Sequence, residues 1–314
     1  MWLGVLALAA GAAAAHPAAT PAAATITIAV PRSDAAVPFE LAAKHGLFAS
    51  NGVQVQLMLV ASTSQALAAV AGGKAQFGVG DPSSVMVYDV DKPASLQLVS
   101  GVTTTRRGFT GLLTATAGIR SAAGIYGKRV GVPELDGLDR LAAQVWLDEN
   151  GADTNTVTFV QVASSNARRA LAKRYVDAVL VEQPELATLS AVPGIRSLGD
   201  IENGLLGSEA AATAVFSTSG FLQSTPGHTE AAGLVGALRA AVSYAATHRA
   251  ESISILSADA GWTHAATATM TPLYSVTLST FILEQIAESQ YAYQIASGQP
   301  NVAALVWAGA PQSS

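Results

Sequence analysis

The stretch from Thr25 to Pro82 constrains the fold of this chain more than any other, because strand and helix patterns alternate there and each strand breaks into small polar residues. It reads TITIAVPRSDAAVPFELAAKHGLFASNGVQVQLMLVASTSQALAAVAGGKAQFGVGDP. Three β-rich runs, Ile26 to Val30, Val53 to Val60 and Ala75 to Val79, are separated by two helical patterns. Such alternation predicts a parallel sheet with right-handed crossovers, hence an α/β fold. In these sheets a ligand site lies beyond the carboxyl ends of the strands. The loops there are Pro31–Val37, Ala61–Ser64 and Gly80–Ser84, and they form a cradle for a small molecule.

A second unit of the same kind begins near Gly124. Lys128 to Val132 reads as a strand, and Leu138 to Glu149 as a helix with Leu141, Val145 and Trp146 on one apolar stripe, so Trp146 reads as core. Asn150-Gly151 closes that helix. Val157 to Val162 is the next strand, Asn166 to Lys173 is helical, and Val176 to Val181 is a buried strand. Between the units, two β-rich runs flank Arg106-Arg107-Gly108. After the second unit comes another β run and then a mostly helical tail. Thr225-Pro226 opens one tail helix, with Val235, Leu238 and Val242 on a stripe; a further helix fits Val276 to Ala296. The economical topology has two α/β lobes, lobe 1 from residues 25–110 and 214–314 and lobe 2 from 111–213. Chain crossings near 108–113 and 206–215 would form a hinge.

Composition narrows the class. At 314 residues there is ample length for two cored lobes, and 12% charged against 50% hydrophobic residues argues against disorder. A net charge of −5 and no basic cluster argue against a nucleic-acid surface. The chain has no cysteine, so disulfides, thiolate–metal sites, a thiol nucleophile and a lipid-modified cysteine are excluded. The apolar run Trp2 to Ala15 is too short to span a bilayer and is followed by small residues. Residues 1–24 read as a signal peptide lacking its usual positive start, or as an Ala/Pro leader. The expectation is an exported, soluble, monomeric protein that is periplasmic or cell-surface associated.

Catalytic patterns fail one by one. Gly78-Val79-Gly80 has Ser83 where a dinucleotide fingerprint needs its third glycine, and Gly73-Lys74 lacks the rest of a P-loop. His16, His45, His228, His248 and His264 show no ligand spacing, so no metal is expected. His45, at a helix end, reads as a cap or surface residue. No G-x-S-x-G elbow occurs. No cofactor is expected.

Four motifs in order carry a resemblance: Pro38, Ala42, Gly46-Leu47-Phe48 and Gly52-Val53 with Val55; Gly72 to Gly78; Gly127 to Pro133 (GKRVGVP); and the strand Val176 to Val181. They resemble the type II periplasmic substrate-binding proteins of ABC importers, in the group for nitrate, sulfonate, taurine and thiamine-precursor uptake. The resemblance covers about residues 25 to 250. It implies a solute-binding component, not an enzyme, that closes on a small organic molecule (a sulfonate, amine or pyrimidine type) and delivers it to a permease and its ATPase. Enzymes on this fold, pyrimidine synthases and menaquinone-pathway dehydratases, are the alternative, together with a sensory binding module; the synthases carry a cysteine cluster that this chain lacks.

The loops at the carboxyl ends of the strands, with the chain crossing, make Ser33, Asp34, Ser62, Thr63, Ser64, Asp81, Ser83, Ser84, Arg107, Asp136, Gly137, Asp139, Glu182 and Gln183 the candidates for the ligand cleft. The chain departs from the family at Glu134–Asp139, commonly Gly/Ser/Thr-rich, and at Glu182-Gln183-Pro184, usually an acidic-proline pair. Ser62 to Ser64 and Asp81 carry helix N-cap signals, and their backbone N–H groups would seat an anion if free. Asp136 is expected to cap the helix Leu138–Glu149, Gly137 to take a left-handed turn, and Asp139 to face the ligand. Arg32, Asp34, Asp81, Arg106 and Arg107 in lobe 1, with Glu134, Asp136, Asp139, Glu182 and Arg140 in lobe 2, favour an uncharged, cationic or zwitterionic ligand over nitrate.

Overall fold

The computed structural model describes residues 25–201, 210–259, 262–263, 267 and 272–313; the leader expected over 1–24 lies outside them. β1 (Thr25–Pro31) buries Ile26, Ile28 and Val30, the β-branched residues that suit a covered strand. It pairs in parallel with β2 (Gln54–Val60) and β3 (Phe77–Gly80), as the alternation predicts. Helices α1 (Val37–Lys44), α2 (Leu47–Ser50), α3 (Thr63–Ala71) and α4 (Pro82–Asp91) occupy the connections. Gly46 separates α1 from α2 at φ 65°, a left-handed conformation that costs glycine nothing. His45 precedes it as the C-cap of α1 and reaches Glu251 at 3.0 Å.

Two antiparallel strands complete this sheet: β4 (Leu96–Thr104) and, late in the chain, β10 (Ala211–Thr218). With the short β11 (Leu273–Tyr274) the order is β11-β4-β10-β3-β1-β2. Phe39, Phe77 and Phe216 fill its core without exposure. The second sheet is built from β5 (Thr110–Thr114), β6 (Arg129–Val132), β7 (Thr158–Gln161), β8 (Ala178–Glu182) and β9 (Arg196–Asp200), ordered β7-β6-β8-β5-β9. The chain leaves the first sheet after Thr104 and returns to it at Ala211.

Two sequence expectations are corrected. The tail helix spans Thr280–Ala292, not Val276–Ala296, because Ser279 caps it and the preceding residues lie along the sheet edge, where Val276 accepts from the Gly101 N–H at 3.0 Å. Helix α5 (Leu138–Glu149) does not carry one stripe. Leu138, Leu141 and Val145 join the core of the first sheet, whereas Ala143, Leu147 and the flank of Trp146 join that of the second. Helix α5 therefore sits between the lobes with a face toward each.

Candidate functional site

A cavity of 760 Å³ opens between the lobes, at the carboxyl ends of β1, β2, β3, β6, β7 and β8. Ser33, Asp34, Ser62, Thr63 and Asp81 line it from the first lobe, and Gly137, Asp139, Glu182 and Gln183 from the second. Five further sequence candidates stand outside the lining. Ser83 and Ser84 are buried beneath it, and Ser64 is exposed beside it. Asp136 turns away, accepting from Ser84 Oγ at 3.4 Å. Arg107 is exposed at the crossing with its Nε 3.9 Å from Asp200. Arg140 also leaves the cleft; it donates to the Leu135 carbonyl at 2.8 Å and lies over the Phe159 ring.

The capping expectation for Asp136 is overturned. No side chain of its own loop caps α5, whose N-cap is Gly137. The Leu138 N–H instead donates to Asp81 Oδ2 from the opposite lobe, while Asp81 Oδ1 accepts from the Ser83 N–H at 2.7 Å and caps α4. The reverse contact exists too. Glu134 of the second lobe accepts from the Thr63 N–H at 3.0 Å, covering the N-terminus of α3, and from Ser84 Oγ at 3.2 Å. Each lobe thus places a carboxyl on a helix start of the other, where the helix dipole favours it. Gly137 has φ −86°, so left-handed freedom is not its use. A Cβ there would stand 2.9 Å from Asp81 Oδ2, and its absence admits the crossing carboxyl.

Burial sets the protonation of these acids. Desolvation pushes Asp34 up to about 6 against the backbone N–H donors that pull it down, and pushes Asp139 up to about 7 with Glu134 adding repulsion. Desolvation also raises Asp81 and Glu134. The sequence gives no local sign of other lining residues. Gln161, Ser164, Ser165 and Glu185 come from segments that read only as strand or helix ends, and Trp262 comes from the tail, backed by Phe109 with ring centroids 5.8 Å apart. Among the described residues no group of three or more His, Asp or Glu is arranged to hold a metal, and no helix is long and apolar enough to cross a membrane.

Comparison with known proteins bears on this geometry. The profile of the NMT1/THI5-like family matches residues 35–252. A Brucella abortus (strain 2308) protein named as a binding protein is 25% identical over 159 residues, 50% of this chain and 48% of that protein. The chain spans about half the length of the curated relatives it matches. The alkanesulfonate-binding protein SsuA from Xanthomonas axonopodis pv. citri, solved bound to MOPS, superposes with a TM-score of 0.77 at 22% identity, covering 94% of this chain and 100% of that one. The periplasmic aliphatic sulphonate binding protein SsuA from Escherichia coli gives 0.73 at 16%, covering 94% of each chain. A ligand-binding component of an ABC-type import system from Staphylococcus aureus, solved with zinc, gives 0.73 at 11%, covering 90% and 96%. The fold is that of the type II periplasmic binding proteins, with two α/β lobes.

Proposed function

This chain belongs to the NMT1/THI5-like family, and from that membership we propose that it is the solute-binding component of an ABC importer. It works outside the cytoplasmic membrane, captures a small organic molecule between its lobes, and presents the closed form to a permease and its ATPase. The observation that carries this reading is the 760 Å³ cavity lined from both lobes, a volume suited to an organic molecule rather than to a small inorganic ion. Lobes joined by two chain crossings can close as rigid bodies, and a ligand that contacts both favours the closed state by its differential affinity. Lobe 1 is residues 25–110 with 214–314, and lobe 2 is 111–213. Binding rather than turnover also fits the names of the proteins it resembles.

The test is to isolate the protein from its native host without refolding, denature it, and identify released small molecules by mass spectrometry. Titrating the released compound back should give single-site binding with no chemical change to it. A compound converted during incubation would point to an enzyme, and the absence of any bound or rebinding molecule would overturn the reading.

A further inference from the structure

Two of the helix starts at the cleft, those of α3 and α5, would offer N–H donors to an anionic ligand if they were free. Both are already covered by the protein's own acids. The Thr63 N–H donates to Glu134 and the Leu138 N–H to Asp81, each across the lobe boundary. An anion would have to displace a carboxyl that is also held by a second donor, Ser84 Oγ or the Ser83 N–H.

The acidic lining of the cavity points the same way. Beyond Asp81 and Glu134, the lining carries Asp34, Asp139, Glu182 and Glu185, against Arg32 as the one cation among the described lining residues. Arg107 and Arg140, two of the cations expected at the cleft, are turned elsewhere. Asp139 is half-buried at the cavity wall, and no donor among the described residues reaches its carboxyl. A carboxyl that faces the cavity with no donor of the protein is open to a partner from outside the fold, and a cation that expels the cavity water would pair with it. Trp262 adds an aromatic surface to the same cavity, only 3% exposed and fixed against Phe109. An aromatic indole attracts ammonium groups.

We propose that the molecule this cleft takes is an organic cation bearing an ammonium group, paired with Asp139 and resting against Trp262. The proposal rests on the solute-binding reading and names the charge class of its ligand. Arg32, at the exposed rim of the cavity, would repel such a ligand, so its removal has a diagnostic sign.

The experiment is isothermal calorimetry and thermal shift on the whole chain with two probe sets at equal ionic strength: choline and putrescine as cations, methanesulfonate and MOPS as anions. The wild type should bind a cationic probe and neither sulfonate. Asp139→Asn should weaken that binding at least about tenfold, and Arg32→Gln should strengthen it. Because Asn matches Asp in shape, circular dichroism can verify that the variant folds, and the Arg32→Gln sign stands independently of it. Binding of a sulfonate alone, weakened by Arg32→Gln, would overturn the charge class and leave the solute-binding reading intact. Silence from both sets would overturn the cation proposal, and co-purification of a bound anion or neutral compound would show that only the proposal, not the solute-binding reading, had failed.

Discussion

Asp139 and Asp34 are acids that the fold makes hard to ionise, and the consequence can be read as a pH profile. An aspartate titrates near 3.8 when unperturbed, whereas these are held near 7 and 6. Below pH 4 both the folded and unfolded states bind the proton, and their contribution to stability is whole. As pH rises toward 7 the unfolded chain ionises first, so the contribution is lost across that interval. Glu251, lowered to about 2 by Lys44, Tyr244 and His45, acts in the opposite sense but below pH 4.5, outside this window. The ligand-free protein should therefore melt at a higher temperature at pH 5 than at pH 8. Asp139→Asn should flatten the profile and raise the Tm at pH 8, by about 3 °C for each kcal/mol of desolvation relieved. Scanning calorimetry across pH 4.5 to 8 measures both; a Tm that climbs with pH would contradict this account. The place of Asp139 after a strand of the second unit is legible in the sequence, since the carboxyl ends of such strands meet the cleft. The use of Gly137 is not, because the group it makes room for, Asp81, stands 56 positions earlier in the chain on the other lobe.

At the scale of elements, α5 is the piece that ties the lobes together. Its limits, Leu138 to Glu149, follow from its apolar spacing and the Asn150-Gly151 end, and the structure has the same bounds. The spacing cannot show that Leu141 and Trp146 serve different cores, because a helix stripe carries no record of which neighbour covers it. The cap of α5 was hidden for a similar reason, since N-cap signals are local and Asp81 acts across the cleft. Two substitutions probe this clasp. Asp81→Ala removes the acceptor for both Ser83 and Leu138 and should cost about 2 kcal/mol at pH 5, roughly one per cap, while Asp81→Asn keeps an acceptor oxygen and most of the stability. Gly137→Ala should cost roughly 1–3 kcal/mol, since its Cβ would crowd Asp81 Oδ2 and Glu134 Cβ at 2.9 and 3.3 Å. Urea unfolding compares the three; equal losses for Asp81→Ala and Asp81→Asn would show that charge, not the acceptor, matters.

For the whole molecule, solute binding as proposed requires two lobes that close over a ligand contacting both. The repeated strand–helix order makes two sheets legible in the sequence, and the polar loops after the strands mark the cleft. Which residues of the tail return to that cleft, Trp262 above all, depends on long-range packing that no local pattern encodes. The absence of cysteine permits a direct measurement, because two introduced thiols can be spin-labelled without competition. Ala68 on α3, the helix whose first residue Thr63 lines the cavity, and Asn166, which follows the lining residue Ser165, are exposed and lie on opposite lobes. Double electron–electron resonance on Ala68→Cys/Asn166→Cys should show a distance distribution that shortens and narrows when the ligand recovered from the native host is added. An identical distribution with and without saturating ligand would contradict closure of the lobes on their cargo.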